Sequence, residues 1–559
     1  MKLLILGGYG VFGGRLAELM SDIDGLTVLM CGRSAQKAKT FCETLSGAAQ
    51  FIPFGLDRTD IAKALLSETP DLVIDASGPF QGYGEAPYAV VQACIDARVN
   101  YLDFADAADF VFGISDFDVD AKAAGVTVLS GVSSFPVLSA AVLREMSKTM
   151  IVKSVTGGVA PSPHAGIGLN VMRAVASYAG GPMKLRRGGQ DVTAYGLTES
   201  LRYTVAVPGH VPLRNIHFSL VDVPDLQVIP RDMPEVQSIW MGAGTVPEPL
   251  HRILNVFAKL RRTLRLPSLA PLAPLFYRVL NLMKFGEHRG GMFVEAIGER
   301  NGREVTQSWH LLAEGDDGPY IPSFAAEAIV RKWMNGERPE PGARAATRAL
   351  DLSDYEALFK TKNIYAALRE DNAALPLYRQ ILGSAFERLD DAVQTLHDTN
   401  ENRAWSGQAQ CFGASNPMAA VVGRLFGFPP KAKTCPVTVT FTLKDGAETW
   451  TRNFGGQTFS SVQYAGEGRN ARLLMERFGP ITAALAVTVE NGRLQLVPRR
   501  WFFLGLPLPK WALPKPENYE YETDGRFHFD VTIAAPLIGR IASYKGSLTP
   551  DAPPKIKAS

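Results

Sequence analysis

The chain has few cysteines, no excess of either charge and no recognisable motif for a metal. Its five cysteines are odd in number, widely spaced and form no CxxC pair, which argues for reduced thiols in a cytoplasmic protein. Lysine plus arginine (58) nearly balances aspartate plus glutamate (56), so no nucleic-acid partner is expected. No HxxxH or HExxH pattern or carboxylate cluster indicates a metal, and no GxSxG pattern indicates an acyl-enzyme.

Long hydrophobic runs are also lacking. The first apolar residues, "MKLLIL", are too few for a signal peptide and lead directly into glycines. Residues 264 to 283 form the most apolar later stretch, but Pro267, Pro271, Pro274 and Arg278 interrupt it. We therefore predict no transmembrane helix.

The order of apolar runs and helical stretches predicts the domain organisation. A length of 559 residues suggests about three domains. In the first 130 residues, short apolar runs alternate with helical periodicity, which predicts a Rossmann-type doubly wound parallel sheet, hence an α/β fold. We expect an α+β substrate domain over 131–350, an antiparallel β-rich domain over 376–548 and a disordered tail over 549–559. Residues 335 to 348 read as a linker or surface connection.

Residues 5 to 19, "ILGGYGVFGGRLAEL", place five glycines between an apolar strand and a helix. Gly8, Gly10 and Gly13 form the GxGxxG pattern in the setting that a dinucleotide-binding fingerprint requires. Gly8 would allow the tight turn, Gly10 the approach of a pyrophosphate, and Gly13 close packing of helix on strand. The intervening Tyr9, Val11 and Phe12 would then border the cofactor. The alternative is a glycine turn that binds nothing.

The end of the second strand indicates which dinucleotide is bound. An NAD site commonly has an acidic residue there, but this chain reads "CGRS". Arg33 can bind a 2′-phosphate, Ser34 can add a hydroxyl, and Lys37 follows one helical turn later. We therefore predict NADP(H), with a solvated surface arginine as the alternative for Arg33.

Two further segments complete the predicted cofactor site. Asp57, at the end of strand three, could accept a hydrogen bond from the adenine amino group or cap the following helix, and the sequence favours neither. The fourth strand ends in "DASGPFQGYG", whose small residues would let the backbone pass close to the nicotinamide. We expect the cofactor to contact Ser77, Gly78, Pro79 and Phe80.

The chain resembles the saccharopine dehydrogenase-like family. The resemblance rests on "GGYGVFGGRLA", "CGRSAQKAKTF", "DLVIDASGPFQGYGEAPYAVVQACIDARVNYLDFAD" and "VLSGVSSFPVLSAAVL", and covers most of residues 1 to 345. It implies an NADP-binding Rossmann domain, an α+β substrate domain and a late helix, at about 322 to 335, that returns to the first domain. From about 376 onward, "LYRQILGSAFERL", "WTRNFGGQTFSS" and "ERFGP" resemble bacterial C-terminal domains of unassigned function fused to such oxidoreductases.

The substrate domain departs from saccharopine chemistry. It lacks an evident cluster of basic groups for the carboxylates of saccharopine, and "FADAAD" stands where relatives often carry Gly-Glu. Other relatives act on lipid or lipid-linked substrates, and the helix predicted at 251–265 favours a lipid-like substrate and peripheral contact with the inner membrane face. One of its faces carries Ile253, Leu254, Phe257, Leu260 and Leu264, and the other His251, Lys259, Arg261, Arg262 and Arg265. The alternative is an amphipathic helix packed on the protein's own core.

The sequence offers several proton donors for hydride transfer. Topology places Tyr83, Asp103 and Asp106 at the crevice, and Ser133 and Ser134 follow strand six. His164 and His288 are weaker candidates, and each of these residues could equally serve as a cap, a turn or packing. We predict an NADP(H)-dependent oxidoreductase, with a non-catalytic NADP-binding scaffold or carrier of an apolar ligand as the alternative. The substrate and the oligomeric state are not predicted.

Overall fold

The computed structural model describes residues 1–166, 168–245, 247–513, 518–536 and 538–551. The chain divides into two compact units. The first comprises Met1–Tyr203 and Ile216–Ala366, and the second comprises Thr204–Asn215 and the chain from Ala367 onward. Among the described residues, no helix combines the length and apolar character needed to cross a membrane.

The first unit begins with a parallel sheet covered by helices. Its strands are β1 (Lys2–Leu6), β2 (Thr27–Gly32), β3 (Gln50–Gly55), β4 (Leu72–Asp75), β5 (Asn100–Asp103) and β6 (Thr127–Ser130). Its helices are α1 (Val11–Leu19), α2 (Ala35–Cys42), α3 (Ile61–Glu68), α4 (Ala89–Asp96), α5 (Ala108–Gly113) and α6 (Asp118–Ala124). Consecutive residues Leu3 to Leu6 are all buried, because both faces of this sheet are covered. The strand order 3-2-1-4-5-6 opens a crevice between β1 and β4, and the predicted Rossmann-type fold is confirmed.

A second, mixed sheet follows in the same unit. The elements of this part of the chain are α7 (Ser139–Ser147), β7 (Ile151–Ala160), α8 (Leu169–Tyr178), β8 (Pro182–Arg187), β9 (Gln190–Tyr195), β10 (Ser200–Tyr203), β11 (Ile216–Leu220), α9 (Asp225–Asp232), β12 (Ser238–Gly244), α10 (Glu248–Leu264), α11 (Ala273–Leu282), β13 (Arg289–Arg300) and β14 (Arg303–Glu314). Strands β8 and β9 form a separate two-stranded sheet. Strand β7 pairs in parallel with β12 and antiparallel with β13. Asn301 and Gly302 both have positive φ and form the tight turn of the β13–β14 hairpin.

The last elements of this unit are α12 (Ile321–Met334), β15 (Gly342–Ala345), α13 (Leu352–Phe359) and the first residues of β16 (Ile364–Glu370), which continues past the end of the unit at Ala366. Helix α12 packs on α1: the Ser323 hydroxyl donates to the Phe12 carbonyl at 3.2 Å, and Arg331 donates to the Leu19 carbonyl at 3.0 Å. Strand β15 pairs with β6 and extends the parallel sheet. The interpretation of 335 to 348 as a linker was therefore wrong for 342 to 345, because a four-residue alanine-rich strand has no visible periodicity.

The second unit contains a closed antiparallel barrel. Its elements are α14 (Leu377–Leu382), α15 (Asp391–His397), β17 (Arg403–Cys411), α16 (Pro417–Leu425), β18 (Ala432–Lys444), β19 (Ala447–Phe454), β20 (Gln457–Ala465), β21 (Leu474–Phe478), β22 (Ile481–Glu490), β23 (Arg493–Phe503), β24 (Leu506–Pro507), β25 (Tyr519–Thr523), β26 (Arg526–Ala535) and β27 (Gly539–Pro550). Pairing of β22 with β23 closes the ring. The predicted antiparallel β-rich fold is confirmed. Thr549 and Pro550, assigned to the disordered tail, belong to β27, and residues 552–559 lie outside the described residues.

Candidate cofactor and active site

The glycine turn after β1 is packed too tightly for side chains. Gly7 has a φ of +72°, and a Cβ on it would lie 2.7 Å from the Ala76 carbonyl oxygen. A Cβ on Gly13 would lie 2.5 Å from the Gly7 carbonyl oxygen, so α1 packs directly on the turn. Gly7 has the left-handed conformation, and the Gly10 N–H donates to the Gly7 carbonyl at 2.8 Å, so Gly8 lies inside this tight turn. Sequence alone does not distinguish two adjacent glycines whose φ angles differ in sign.

The N-terminus of α1 has the features of a dinucleotide site. Its N-cap, exposed Gly10, carries no side chain to bond the first-turn N–H groups, and no such side-chain bond occurs among the described residues. Val11 and Phe12 follow at the edge of a cavity of about 630 Å³, which Gly7, Tyr9 and Gly10 also line. Free N–H groups and the helix dipole at such a point suit a pyrophosphate. The residues present therefore fit a dinucleotide.

Arg33, at the end of β2, lines the same cavity and is exposed. Ser34 caps α2 by accepting from the Lys37 N–H at 3.3 Å, and its own N–H donates to the Tyr9 hydroxyl at 3.1 Å. The Tyr9 ring lies against Gly32, where a Cβ would be 2.4 Å from the ring. Ser34 and Lys37 are not among the lining residues described. Arg33 is thus the predicted 2′-phosphate contact that the structure places at the cavity.

Asp57 also lines the cavity, and its carboxylate is engaged by the next turn. It accepts from the Thr59 N–H at 3.1 Å and from the Thr59 hydroxyl at 2.8 Å, capping the 3₁₀ turn Arg58–Asp60. The Thr59 N–H also holds the pKa of Asp57 below its usual range. Asp57 therefore has a capping role, one of the two roles that the sequence left open for it.

The predicted segment after β4 carries a hydrogen-bonded polar group. The Ser77 hydroxyl donates to buried Asp75 at 2.5 Å and lies 2.9 Å from the Tyr83 hydroxyl. The Arg58 guanidinium lies 3.5 Å from the centroid of the Tyr83 ring. Burial raises the pKa of Tyr83, and nearby Asp75 raises it further, so the phenol keeps its proton at neutral pH. Ser77, Gly78, Pro79, Phe80 and Tyr83 all line the cavity.

The remaining candidate donors divide into two groups. Asp106 and Ser133 line the cavity, and the Gln81 side chain donates to Asp106 at 3.2 Å. Asp103 is fully buried and accepts from the Ala105 N–H, the Ser130 hydroxyl and the Gly131 N–H at 2.7 to 3.0 Å. Neither Asp103 nor Ser134 is among the described residues that line the cavity. Through these bonds, Asp103 instead connects the segment after β5 to the end of β6 and the residue that follows it.

Sequence reasoning missed the contribution of residues 168–171. Gly168, Leu169, Asn170 and Val171 line the cavity, and the Asn170 amide donates to the Gly78 carbonyl at 2.9 Å. They lie about 90 residues beyond the "SGPF" segment in the chain, and "GLNV" carries no motif that would have found them. It also missed Arg58 and Asp75, whose roles depend on their contacts with Tyr83 and Ser77.

The two weaker histidine candidates form a cluster of their own. The His164 and His288 rings stack with centroids 3.7 Å apart, and His288 Nδ1 lies 2.5 Å from Asp316. Neither is among the described lining residues of the cavity. In the described part of the chain, no three metal-ligating side chains converge on one point.

Helix α10 differs from the prediction for 251–265. His251, assigned to the basic face, is buried, and burial lowers its pKa to about 4. Arg261 donates to the Ser177 and Ala179 carbonyls at 2.8 and 2.7 Å. The apolar residues Ile253 and Leu264, by contrast, are 52% and 62% exposed. The helix therefore turns part of its apolar face to solvent and packs through polar residues, because His217 and Leu197 offer partners to Asn255.

The fold and the glycine turn define a dinucleotide-binding protein, and comparison with known families identifies the type. Residues 3–129 match the model of the saccharopine dehydrogenase NADP binding domain, and residues 389–548 match DUF4166, a domain of unknown function. The resemblance inferred from the sequence is thereby confirmed: the N-terminal part of the chain matches an NADP-binding domain model, and the C-terminal part matches a domain of unassigned function.

The chain is also similar to solved dehydrogenases, at low identity. An amine dehydrogenase from Mycobacterium smegmatis is 11% identical, covering 62% of this chain and 95% of that chain, with a TM-score of 0.33. A probable dehydrogenase from Thermotoga maritima is 11% identical (64% and 94% covered, TM-score 0.31). A myo-inositol dehydrogenase from Lactobacillus casei, in complex with NAD(H) and myo-inositol, is 11% identical (66% and 96% covered, TM-score 0.31). No curated protein matches the chain.

Proposed function

We propose that this protein is an NADP(H)-dependent oxidoreductase. The observation that carries the proposal is the extent of the cavity, which continues from the glycine turn past Tyr83 to Ser133 and Leu169. A volume of about 630 Å³ is in the range of small-molecule sites. When bound, the nicotinamide cofactor supplies or accepts the hydride.

The proposed preference for NADP(H) over NAD(H) rests on Arg33. Its guanidinium is the charged donor that the chain presents where the second strand meets the cavity. A 2′-phosphate accepts charge-assisted hydrogen bonds from such a group, whereas a ribose hydroxyl gains little from it. The carboxylate of Asp57 is turned to Thr59, which leaves Arg33 to decide the preference.

In this proposal, Tyr83 supplies the proton that accompanies hydride transfer. Without a substrate, the Ser77 hydroxyl donates to Asp75 and its oxygen accepts from Tyr83, which fixes the phenol in place. A bound substrate atom replaces Ser77 as the acceptor of this one proton. Tyr83 then gives its proton to the substrate atom that becomes O–H or N–H in the reduced product. Arg58, stacked on the ring, stabilises the phenolate until solvent returns the proton.

The substrate in this proposal has an apolar part. The cavity wall beyond the glycine turn includes Phe12, Phe80 and Phe104, joined by Leu169 and Val171. Phe12 and Phe104 stack with ring centroids 5.8 Å apart. These surfaces favour an apolar or lipid-like carbonyl or imine substrate over a multiply charged one, because desolvating a charge against them is unfavourable.

Deuterium transfer tests the proposal without a known substrate. NADPH carrying deuterium at C4 is incubated with the protein and a total extract of metabolites and lipids, and products are examined by mass spectrometry. We expect a protein-dependent product that carries one deuterium. Tyr83→Phe should lower kcat for that product by roughly 100-fold or more and leave the Kd for NADPH unchanged. Tyr88→Phe is the matched control, because Tyr88 donates to the Phe110 carbonyl nearby and is not a described lining residue.

The same experiment separates the enzyme from the non-catalytic scaffold. A scaffold would bind NADPH with the same dependence on Arg33 but would transfer deuterium to no product. If Tyr83→Phe forms the labelled product as fast as the original protein, the protein is an enzyme but Tyr83 is not its proton donor.

A second proposal, peripheral contact with an anionic membrane, rests on α10 and the segment after it. Besides Ile253 and Leu264, the exposed apolar side chains are Val256, Phe257, Leu260, Leu266, Leu272, Leu275, Leu282, Met283 and Phe285. Lys259, Arg262 and Arg265 are exposed on the same helix and at its C-terminus. Exposed apolar side chains bordered by cations suit the interface of an anionic bilayer.

Vesicle sedimentation tests this contact. The protein should sediment with phosphatidylglycerol-containing vesicles, and less so as salt rises, since charges are screened over about 8 Å at physiological ionic strength. Lys259→Glu with Arg265→Glu should abolish sedimentation, and Lys39→Glu, an exposed lysine of α2, serves as the control. Equal sedimentation of all variants at low salt would contradict the contact.

A further inference from the structure

The barrel of the second unit encloses an apolar cavity of about 510 Å³. Side chains from several strands face this cavity. Among them are Val439, Phe454, Leu485, Phe527 and Phe529, each of them largely buried. Protein interiors are normally packed like organic crystals, with few voids larger than a water molecule. A space of this size lined by large side chains is thus a formed cavity, and a ring of ten strands is wide enough to leave one.

Of the four charged groups among the described residues of the cavity wall, Arg452, Glu476 and Glu520 are ion-paired within the protein, whereas Arg500 is not. Arg452 lies 3.5 Å from Glu476, which also accepts from the Ser461 hydroxyl and the Gln463 amide at 2.8 and 3.0 Å. Glu520 lies 2.6 Å from His397 Nε2. These pairs satisfy three of the four charges, and the fourth, Arg500, is three residues before Phe503 on β23, so the rest of the interior offers apolar surface without a free counter-charge. A ligand part that enters this space must be uncharged.

The two ends of the barrel differ. At one end, α14 and α15 pack on the strands through Leu377, Leu382, Val393 and Leu396, and the Tyr378 hydroxyl donates to Gln463 at 2.9 Å. Toward the other end, the cavity reaches Val422, Phe426 and the exposed side chain of Phe503. This second end is bordered by further exposed apolar side chains, with Leu425 82%, Leu504 72% and Trp511 73% exposed.

We propose that the barrel binds one hydrocarbon chain of a lipid, of the acyl or isoprenoid class, inserted with its apolar end toward α14 and α15. The paired wall charges exclude a charged group from the interior, so the polar end of the lipid lies at the Phe503 end. Arg500, which lines the cavity there, donates to Asn470 at 2.7 Å and is half-buried. The exposed apolar border gives the chain a continuous apolar path from solvent or a membrane into the barrel. The inference does not depend on the proposed oxidoreductase activity, because every residue that carries it belongs to the second unit.

Binding of cis-parinaric acid, a fluorescent polyene fatty acid, to the full-length protein tests the proposal. We expect saturable binding of one molecule per chain, with energy transfer from Trp450, which lines the cavity. Ala483→Trp, on the inner face of β22, should fill the cavity and weaken binding at least about tenfold. Thr440→Trp, at an exposed position of β18 beside inward-facing Val439, is the matched control and should leave binding unchanged.

Ala534→Phe, on β26, repeats the test from another strand in case Ala483→Trp does not fold, as judged by circular dichroism and thermal unfolding. Palmitate and geranylgeraniol are then used as competitors. Displacement by either one supports the proposal and assigns the chain type, and displacement by both supports the shared class. Absence of saturable binding, or loss of affinity that is the same for the inward variants and Thr440→Trp, would overturn it. NADPH titration of the same variants monitors the other site separately.

Discussion

In the proposed function, individual residues of the 630 Å³ cavity decide which nucleotide it accepts. The glycine turn and the N-terminus of α1 provide N–H groups to any pyrophosphate, so they do not distinguish NADPH from NADH. Arg33 is the lining residue that can make this distinction, since it meets the cavity at the end of β2. Replacing Arg33 should therefore change the affinities for NADPH and NADH by different amounts.

We expect Arg33→Ala to weaken NADPH binding and leave NADH binding nearly unchanged. Losing a hydrogen bond to a charged group costs about 1.5 to 3 kcal/mol, or roughly 10-fold to 150-fold in Kd. Gly10→Val is the control: a Cβ there would lie 2.9 Å from the Gly7 carbonyl oxygen, so the turn must shift and both nucleotides should lose affinity. Titration with both nucleotides by calorimetry measures this, and equal losses in Arg33→Ala would return NAD(H) as the cofactor.

Asp103 should make the stability of the first unit depend on pH. Burial raises its pKa to about 7, although three donors partly offset that shift. Its pKa in the unfolded chain is about 3.9, so both states are protonated below that pH. As pH rises toward 7, the unfolded state loses the proton first, and the contribution of this carboxyl to stability falls by up to about 1.4 kcal/mol per pH unit.

Asp103→Asn removes this titration and keeps an acceptor for the same donors. Relative to the original protein, the variant should therefore gain stability from about pH 4 to pH 7 and gain no more above it. Urea unfolding of both proteins across that range measures the difference. A difference that stays constant with pH would show that Asp103 is ionised throughout.

The sequence predicted some of these residues and not others, for physical reasons. Gly8, Gly10, Gly13 and Arg33 follow from a local motif, because strand, turn and helix are adjacent in the chain. The contacts of Tyr83 with Ser77 and Arg58 required knowing how the backbone turns after β4. Cys411 and Cys435, with Sγ atoms 3.7 Å apart, meet through strand pairing over 24 residues, which spacing does not reveal.

At the scale of elements, periodicity predicted long segments well and short ones poorly. The short apolar runs expected in residues 1–130 form strands β1 to β6. Helix α12 lies where the family resemblance placed a helix near 322 to 335. Strand β15 was missed because it is short and its pairing partner β6 is more than 200 residues earlier.

Arg331 should be the main polar anchor of α12 on α1. It bonds the Leu19 carbonyl at 3.0 Å, exposed Asp22 at 2.7 Å and buried Glu327 at 2.9 Å. Arg331→Ala leaves Glu327 buried without its partner and should cost about 2 to 3 kcal/mol, less than a fully buried pair because solvent reaches the arginine. Lys332→Ala, which breaks a pair with Asp354, should cost about 1 kcal/mol or less. Chemical denaturation compares the two, and equal costs would contradict the anchor.

At the scale of the whole molecule, the sequence predicted three domains and the structure forms two compact units. The division into three domains stays a prediction, because contacts group the two sheets of the first unit together. Closure of the barrel was not predicted, since it depends on pairs such as β17 with β27 that lie far apart in the chain. Alternation of side chains reveals strands but not their partners. Residues 204–215 likewise join the second unit from within the sequence of the first.

The bounds of the first unit predict where the chain can be shortened without losing the cofactor. All residues that line the 630 Å³ cavity belong to that unit, so a chain ending at residue 370 should bind NADPH with an unchanged Kd. A chain ending at residue 350 loses α13 and β16, and with them Tyr355, Phe359 and Ile364, which are buried in the core of the unit. Losing one buried aromatic side chain alone costs about 3 to 5 kcal/mol, a large part of the stability of a domain. The shorter chain should therefore unfold and bind no NADPH.

Thermal unfolding and NADPH titration distinguish the cases. Equal binding by both chains would show that α13 and β16 are dispensable. A folded longer chain that does not bind NADPH would show that the second unit contributes to the cofactor site.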